Sequence, residues 1–230
     1  MPKKPGPGIK VSKDGPYLVS GSVPLSTQTM VPDREGYPKR WQEGESFPQK
    51  QAYSLCRCGC SGNKPYCDST HLKVRFHGKE TASREPYMKR AGRIRGPALE
   101  LYDNIRLCSS ARFCERLGSV WNLTEMSGNP RSRKAAIQQA CDCPSGRLVM
   151  HDRKTGKPIE PALPRSIGIS QDPGAGVSGP IIVRGKVPVI SSDGTQYELR
   201  NRMALCRCGR SKNKPFCDGT HIPARFSDKD

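Results

Sequence analysis

Apolar residues along this chain occur in short runs separated by glycine, proline and polar residues, a pattern typical of short β-strands. Residues 15–25 and 179–189 carry glycine, proline, valine, glycine, valine and proline in the same register. Each stretch predicts a strand, a turn and a second strand. Further short strands are predicted at 52–55 and 203–205, directly before two cysteine-rich stretches. The chain therefore repeats a small β-rich unit.

The region between the repeats has a different pattern. Residues 107–117 and 133–141 predict short helices, the second rich in strong helix formers, and residues 148–150 predict a strand. The polar residues around 27–50 lengthen the first copy and predict a loop, whereas residues 172–179 are rich in glycine and proline and predict a linker. We therefore expect a helix-containing unit between two β-rich ones.

These patterns divide the chain into four parts. They are a flexible leader at 1–14, a first repeat at 15–77, an inserted domain with its linker at 78–178, and a second repeat at 179–230. Only 34% of the 230 residues are hydrophobic, beside 23 glycines and 21 prolines, which leaves little material for one large core. Small domains of this kind often depend on metal, so metal loss should loosen the fold.

The formal net charge of +18 comes from lysines and arginines spread along the whole chain. No recognised nucleic-acid-binding motif accompanies them. The charge predicts first a generally basic, solvated surface and second the electrostatic steering of an acidic partner. A nucleic-acid site comes third.

Two stretches carry the same C-x-C-x8-C-x3-H spacing of three thiols and one imidazole. Soft and borderline ligands packed this closely, twice over, predict metal sites rather than disulfides or free thiols. The eleven cysteines, an odd number, also argue against a disulfide framework and favour a reducing compartment. The candidate ligands are Cys56, Cys58, Cys67 and His71 in the first stretch and Cys206, Cys208, Cys217 and His221 in the second.

An aspartate follows the third cysteine in each stretch, and aspartate favours helix N-caps. A helix starting at Asp68 would place Cys67 and His71 four residues apart on one face, with the partial positive charge of its N-terminus directed at the site. Common zinc sites instead separate their paired cysteines by two or more residues. The arrangement therefore suits an anionic cluster.

The residues C-x-C-x2-S-x3-P-x-C-D-G-T-H at 206–221 match the signature of the CDGSH (NEET) iron–sulfur domain, which the chain thereby resembles. Residues 56–71 match it too, except that Ser69 stands where the signature has glycine. The resemblance implies one [2Fe–2S] cluster per motif, held by the three cysteines and the histidine. Cys60, whose counterpart is Arg210, lies outside the pattern and is interpreted as a non-ligand. Ser69 is expected to strain the turn and to alter the lability of the first cluster.

Single-motif members of this family form homodimers that interleave strands, so the resemblance implies an internal dimer here. We predict an α+β fold in which two small CDGSH β-rich repeats pack as an internal pseudo-dimer, and a monomer with both clusters near one end. Some animal relatives carry a membrane anchor. This chain has no apolar run approaching the ~18 residues needed to cross a bilayer, and its polar start is unlike a signal peptide. We expect a soluble, cytoplasmic protein, most simply bacterial.

The segment between residues 108 and 148 resembles the divergent mono-cluster ferredoxin-like domain found beside CDGSH motifs. In that pattern Cys108, Cys114 and Cys143 match ligand positions, and Cys141 is an extra thiol. A [4Fe–4S] cluster normally takes four thiolates, and the usual dense first run of cysteines is reduced here to C-x5-C. A third cluster and a degenerate domain that keeps only its fold both stay open.

The chain contains no dinucleotide-binding, phosphate-binding or nucleophile motif, so we predict that it is not an enzyme and that its chemistry comes from metal. A neutral imidazole in place of one thiolate makes a cluster site less negative, which should raise its potential and couple reduction to proton uptake. Two functions follow: one-electron transfer with a redox partner, and redox- and pH-sensitive cluster transfer to an apo iron–sulfur acceptor, the partner being acidic. The alternative is a zinc-stabilised module that binds nucleic acid or protein through its basic surface.

Overall fold

The computed structural model describes residues 6–229 and shows a mixed α/β protein that is mostly sheet, with few helices. The strands are β1 (Gly8–Val11), β2 (Tyr17–Ser20), β3 (Leu25–Pro32), β4 (Pro38–Ser46), β5 (Ala52–Leu55), β6 (Gly92–Arg95), β7 (Leu99–Asp103), β8 (Leu148–Asp152), β9 (Pro158–Ile159), β10 (Ser166–Asp172), β11 (Val177–Arg184), β12 (Val189–Ile190) and β13 (Arg202–Leu205). The helices are α1 (Thr70–Lys73), α2 (Tyr87–Arg90), α3 (Val120–Glu125) and α4 (Pro130–Asp142), with 3₁₀ segments at Ile105–Leu107 and Phe113–Gly118. No helix in the described part is long and apolar enough to cross a membrane.

Two sheets each combine strands from both repeats. The first has the order β12-β1-β2-β5, and β12 of the second repeat joins it in parallel with β1, with Val189 opposite Ile9. The second has the order β13-β11-β10-β3-β4, and β3 of the first repeat joins it in parallel with β10, with Leu25 opposite Ile167. Each repeat therefore pairs one strand in parallel with a strand of the other repeat, and β4 of the first repeat extends the second sheet beyond β3.

A single hydrophobic cluster takes side chains from both of these sheets. Because successive strand residues face opposite sides, alternate apolar positions of each strand fall on its buried face. The buried members include Ile9, Val11, Tyr17, Val19 and Leu55 from the first sheet and Ile167, Ile181, Val183, Met203 and Leu205 from the second. Full burial of one side chain of this size stabilises the folded state by about 2 kcal/mol. Separating the repeats would expose several of these side chains and would therefore cost many times that free energy.

The first repeat contains more strand than the sequence pattern predicted. β1, with buried Ile9 and Val11, lies inside the predicted flexible leader at 1–14, which is therefore wrong for this stretch; residues 1–5 lie outside the described residues. The loop predicted around 27–50 is also wrong, because β3 and β4 form an antiparallel hairpin there. Most residues of β4 are exposed and polar, so β4 lacks the alternation of apolar and polar residues by which strands are predicted.

The second repeat begins earlier than predicted. β10 and β11 pair as an antiparallel hairpin, so residues 172–179 form its turn and strand ends rather than a linker. β11 also crosses the boundary predicted between residues 178 and 179. By its pairing with β11 and β3, β10 is the counterpart of β1, which pairs with β2 and β12. Strand pairing, and not composition, sets this boundary.

The middle segment forms a small unit of its own. β6, β7, β8 and β9 make an antiparallel sheet, and α3 and α4 share a separate hydrophobic core with it. The helix predicted at 133–141 and the strand predicted at 148–150 are confirmed by α4 and β8. Asn129 caps α4, because its side chain accepts hydrogen bonds from the amides of Arg131 and Ser132.

The helix predicted at 107–117 is wrong. The two 3₁₀ segments border residues 108–112, which are not helical, and Ser110 and Arg112 there have φ angles of 54° and 59°. Because an α-helix cannot include residues in the left-handed region, this stretch forms a loop. This 108–112 loop lies against Gly219 of the second cysteine-rich motif.

Candidate metal centres

β5 leads directly into the first candidate site. The Sγ atoms of Cys56 and Cys58 lie 3.7 Å apart, and the Sγ atom of Cys67 lies 3.4 Å from Nδ1 of His71. The amide of Cys67 donates to the carbonyl of Ser54, which returns the chain to the end of β5. The four predicted ligands are thus brought together as two pairs.

The second candidate site, after β13, repeats this arrangement. The Sγ atoms of Cys206 and Cys208 lie 3.7 Å apart, and the Sγ atom of Cys217 lies 3.4 Å from Nδ1 of His221. The amide of Cys217 donates to the carbonyl of Ala204 in β13. The same residue spacing therefore produces the same local fold twice.

These pair distances fit the ligands of tetrahedral metals. Two thiolates on one tetrahedral metal lie about 3.8 Å apart, and a thiolate and an imidazole nitrogen about 3.5 Å, for metal–ligand bonds of about 2.3 and 2.0 Å. Within residues 6–229, however, no group of three or more His, Cys, Asp and Glu side chains is arranged to hold one metal ion. Each site therefore presents its four candidate ligands as two close pairs.

The helix predicted after the third cysteine is shorter than expected. α1 begins at Thr70 rather than Asp68 and has four residues, and the second site has only a turn at the corresponding place. The Asp68 carboxylate accepts hydrogen bonds from the amides of Gly62 and Thr70, and Asp218 accepts from the equivalent amides of the second site. Each aspartate thus ties the loop before the third cysteine to the turn that carries the histidine.

The two ligand loops touch each other. Gly59 and Gly209 follow the second cysteine of each site and have φ angles of +83° and +76°. A Cβ on Gly59 would lie 2.7 Å from the carbonyl oxygen of Cys208, and one on Gly209 would lie 2.4 Å from that of Cys58. Glycine alone permits both the positive φ and this close approach. The backbones of two candidate ligands therefore meet at this contact.

The two sites differ in exposure at the ligand pair that contains the histidine. Cys217 and His221 are 3% and 2% exposed, whereas Cys67 and His71 are only partly buried. The other cysteine pair is buried in both sites. The two sites therefore differ in the exposure of the pair formed by the third cysteine and the histidine, which we call the histidine side of each site.

The 108–112 loop covers the histidine side of the second site. A Cβ on Gly219 would lie 2.2 Å from Oγ of Ser110. Arg112 makes a bidentate ion pair with Asp172, with both N–O distances 2.8 Å and the aspartate side chain 1% exposed. Ser69, the counterpart of Gly219 in the first site, is exposed and has a φ of 71°, so it adopts the strained conformation that the sequence predicted.

Two further segments brace the second ligand loop. The backbone amide of Thr81, before α2, donates to the carbonyl of Lys214. The hydroxyl of Tyr17, in β2, lies 2.7 Å from the carbonyl oxygen of Cys206 and 3.0 Å from that of Pro215, and donates to them. The counterpart of Tyr17 in the second repeat is an isoleucine, which cannot do the same for the first site.

Burial shapes the electrostatics of the second site. It lowers the pKa of the His221 imidazole to about 4 and raises the pKa of the Cys217 thiol, because water no longer stabilises their charged forms. A hydrogen bond between the paired thiols lowers the pKa of Cys56 to about 6 in the first site and of Cys208 to about 7 in the second. One thiol of each pair therefore ionises readily, and thiolate is the form that binds metal.

The middle segment brings its three candidate cysteines to one place. Cys108, Cys114 and Cys143 line a single cavity of about 20 Å³. The guanidinium of Arg147 also lines it and donates to Sγ of Cys108 at 3.2 Å. Cys141, the extra thiol, is not among the residues around this cavity.

Comparison with known proteins divides the chain in the same way. A family model for iron-binding zinc fingers of the CDGSH type matches residues 14–72 and 178–222. The chain therefore carries two CDGSH domains. A second model, for a divergent 4Fe-4S mono-cluster, matches residues 94–153 between them. No curated protein and no solved structure matches the chain. The two family matches together indicate an iron–sulfur protein.

The mono-cluster match suggests a further iron–sulfur site in the middle segment, and the three cysteines around the cavity are the thiols that could hold it. The cavity of about 20 Å³ has room for about one water molecule. Three thiols are present where a [4Fe–4S] cluster normally takes four, and Arg147 already donates to one of them. This arrangement of three thiols and one guanidinium does not fit a [4Fe–4S] cluster. The middle segment does make a close contact with the second CDGSH site, between Ser110 and Gly219.

Sequence analysis missed two arginines that organise the CDGSH sites. Arg57 and Arg207 stand between the first two cysteines of each motif and are buried. Each guanidinium donates hydrogen bonds to three residues that are distant in sequence from the ligand loop. The acceptors are the carbonyls of Ser12, Gly15 and Gly78 for Arg57, and the carbonyls of Ser170 and Gly179 with the carboxylate of Asp228 for Arg207. The recurrence of C-R-C in both motifs is the signal that identifies them.

Proposed function

We propose that each CDGSH domain holds one [2Fe–2S] cluster through its three cysteines and one histidine, and that the chain acts as a one-electron carrier rather than an enzyme. The observation that carries this proposal is the division of each ligand set into two pairs with tetrahedral spacing. Two irons bridged by sulfide need two ligands each, whereas one ion needs converging ligands.

A [2Fe–2S] group held in this way supplies one-electron oxidation and reduction. The chain's own residues position the ligands for it. The buried arginine of each motif fixes the backbone between the first two cysteines through hydrogen bonds to three other residues. The neutral imidazole, in place of a fourth thiolate, leaves the ligand set less negative, which favours the reduced state. In the second domain, burial of Cys217 and His221 also excludes water from that ligand pair.

The contact between the two ligand loops supports electron exchange between the domains. The backbone of Cys58 meets Gly209, and the backbone of Cys208 meets Gly59. Both cysteines are ligands in the proposal, so the two centres are linked through a few covalent bonds and one van der Waals contact. We propose that electrons pass between the sites here.

The exposure of the first site supports a second role, the transfer of its cluster to an apo iron–sulfur acceptor. Cys67 and His71 are partly exposed, and an imidazole that can be protonated is a weaker ligand than a thiolate. In this role the cluster is cargo that leaves from the first domain under oxidising or acidic conditions. The second domain would keep its cluster because its histidine side is covered.

The alternative is a zinc-stabilised module that binds nucleic acid or protein. The basic charge of the chain supports it. The separation of each ligand set into two pairs argues against it, because a structural zinc ion takes four converging ligands. The two readings differ in colour, since zinc has no redox chemistry and no visible absorption.

We also propose that the two repeats form an internal counterpart of a homodimer and that the chain is a monomer. The reciprocal pairing of β12 with β1 and of β3 with β10 supports this, as does the core that both repeats share. Light scattering should report a mass near 25.4 kDa. An obligate dimer would contradict the proposal.

The decisive experiment is the visible absorption spectrum of anaerobically purified protein, with iron, zinc and acid-labile sulfide counted per chain. Two [2Fe–2S] sites should give a red-brown protein with about four irons and about four sulfides. About seven or eight irons would add a cluster in the middle segment. A colourless protein that contains zinc would refute electron transfer. Incubation with an apo-ferredoxin under oxidising and reducing conditions would then distinguish carrier from donor.

A further inference from the structure

The open side of the first CDGSH site carries an apolar and basic surface, which we call the first-site face. It consists of Leu72, Lys73, Val74, Arg75, His77 and Lys79. Leu72 is 70% exposed and Val74 is 47% exposed, and both follow the candidate ligand His71 within three residues. α1, which carries Leu72, buries none of its residues. Two large apolar side chains exposed beside a candidate metal site favour an interaction surface.

The charge of the first-site face has one sign. Lys73, Arg75 and Lys79 are exposed, and residues 69–79 contain no aspartate or glutamate. Three carboxylates beside this stretch keep their negative charge and are held by hydrogen bonds: Asp68 from Gly62 and Thr70, Asp14 from Gly78, and Glu80 from Ser191, Ser192 and Tyr197. The residues of the first-site face themselves combine cations with two exposed apolar side chains.

The second CDGSH site has no such face. The counterparts of Leu72 and Lys73 are Ile222, which is partly buried, and Pro223, which has no charge. Asp228 occurs in the corresponding tail and pairs with Arg207. The 108–112 loop also covers the histidine side of that site. The exposed face is therefore a property of the first domain and not of the CDGSH motif itself.

We infer that the first-site face docks an acidic redox protein whose apolar contact area is ringed by carboxylates, so that electrons enter and leave this chain through the first site. This inference rests on the proposed function. The cations would steer the partner, and Leu72 and Val74 would each make an apolar contact with it near His71. In the transfer, one electron leaves the partner's metal centre and one electron reduces the first site. No covalent bond forms or breaks.

The test uses a reduced plant-type [2Fe–2S] ferredoxin, an acidic donor whose potential lies below that of histidine-ligated centres. Its electron transfer to the oxidised full-length chain is followed by stopped-flow absorption at low and at high salt. The variants are Lys73→Glu/Lys79→Glu and Leu72→Ser. Matched controls are Lys154→Glu/Lys157→Glu, exposed lysines of the middle segment, and Leu117→Ser, another exposed leucine. The spectrum and iron content of every sample are measured first.

At low salt the double charge reversal should lower the second-order rate constant by about tenfold, and high salt should remove most of that difference. Leu72→Ser should lower the rate by about threefold at both salt concentrations, because it removes apolar contact area and no charge. The controls should stay within about twofold of the unmodified chain.

Equal rates in all variants that retain iron would overturn the docking face and leave the proposed function intact. Samples without iron or colour would instead refute the proposed function. Anionic vesicles or duplex DNA could also bind this basic face. If the charge reversal abolished such binding and left the rate of electron transfer from ferredoxin unchanged, the first-site face would be a lipid- or nucleic-acid-binding surface. The inference would then be wrong.

Discussion

The two CDGSH domains have the same candidate ligands, the same pair distances and the same buried arginine between the first two cysteines, yet different surroundings. In the first domain Cys67 and His71 are partly exposed, and α1 leaves its apolar side chain in solvent. In the second domain the 108–112 loop covers the side that carries Cys217 and His221, and Tyr17 of β2 braces the ligand loop at the carbonyl of Cys206. One motif in one chain therefore produces an open site and a closed site.

From this difference in surroundings we expect the two sites to differ in lability although their motifs match. A chelator, an oxidant or a proton must reach the histidine side of a site before it can displace a ligand. The first site permits that approach, whereas the second requires the middle segment to move first. The charge-assisted ion pair of Arg112 with the buried Asp172 resists this movement.

Of the changes proposed here, removing the Arg112 side chain should most reduce the difference between the closed second site and the open first site. Arg112→Ala leaves the Asp172 carboxylate buried and unpaired, so the free energy of unfolding should fall by about 3 kcal/mol. Iron loss from the second site should accelerate towards that of the first. Urea unfolding and chelator kinetics measure the two effects. The control is Arg133→Ala, whose ion pair with Asp152 is more exposed and should contribute less than about 1 kcal/mol.

Gly219→Ser tests the packing of the loop more directly. A side chain there needs a φ of +84° and would meet Oγ of Ser110, so the free energy of unfolding should fall by about 2 kcal/mol. Adding Ser110→Gly should restore part of the loss, because it removes the contact and leaves the φ strain. A Gly219→Ser variant with unchanged stability and unchanged iron loss would contradict the packing described here.

Iron removal from the unmodified protein should show the asymmetry without any substitution. A large, colourless chelator should extract iron in two phases whose rates differ by about tenfold, since the closed site must open first. Cys67→Ser should abolish the fast phase, and Cys217→Ser should abolish the slow one. Two indistinguishable rates in the unmodified protein would show that the cover has no kinetic effect.

Ser69→Gly should have the smallest effect. Glycine relieves the strain of a residue with a φ of 71°, so the free energy of unfolding should rise by at most about 1 kcal/mol and the fast phase of iron loss should slow slightly. Ser46→Gly, at an exposed position of β4 without such strain, should instead lower stability. A gain from Ser46→Gly as large as that from Ser69→Gly would exclude relief of strain as the reason.

Much of the candidate site could be predicted because its residues are close together in sequence. The C-x-C-x8-C-x3-H spacing confines all four candidate ligands to one loop and one turn, so few backbone paths are available, and the structure places each set as two close pairs. The positive φ of Ser69 was predictable for the same reason. The helix at 107–117 was not, because helix formers there are overridden by residues that adopt positive φ in a loop.

The amino-acid sequence by itself determined the local arrangement: the two candidate ligand sets, their repeated spacing, and the turns that hold them. Tertiary structure alone decided what surrounds them. The parallel pairing of β12 with β1, the unrecognised strands β1 and β4, and the 108–112 loop over Gly219 all join residues far apart in the chain. Such contacts depend on which surfaces can be buried together, and burial is a property of the folded chain as a whole. For that reason two nearly identical motifs become an open site and a closed one.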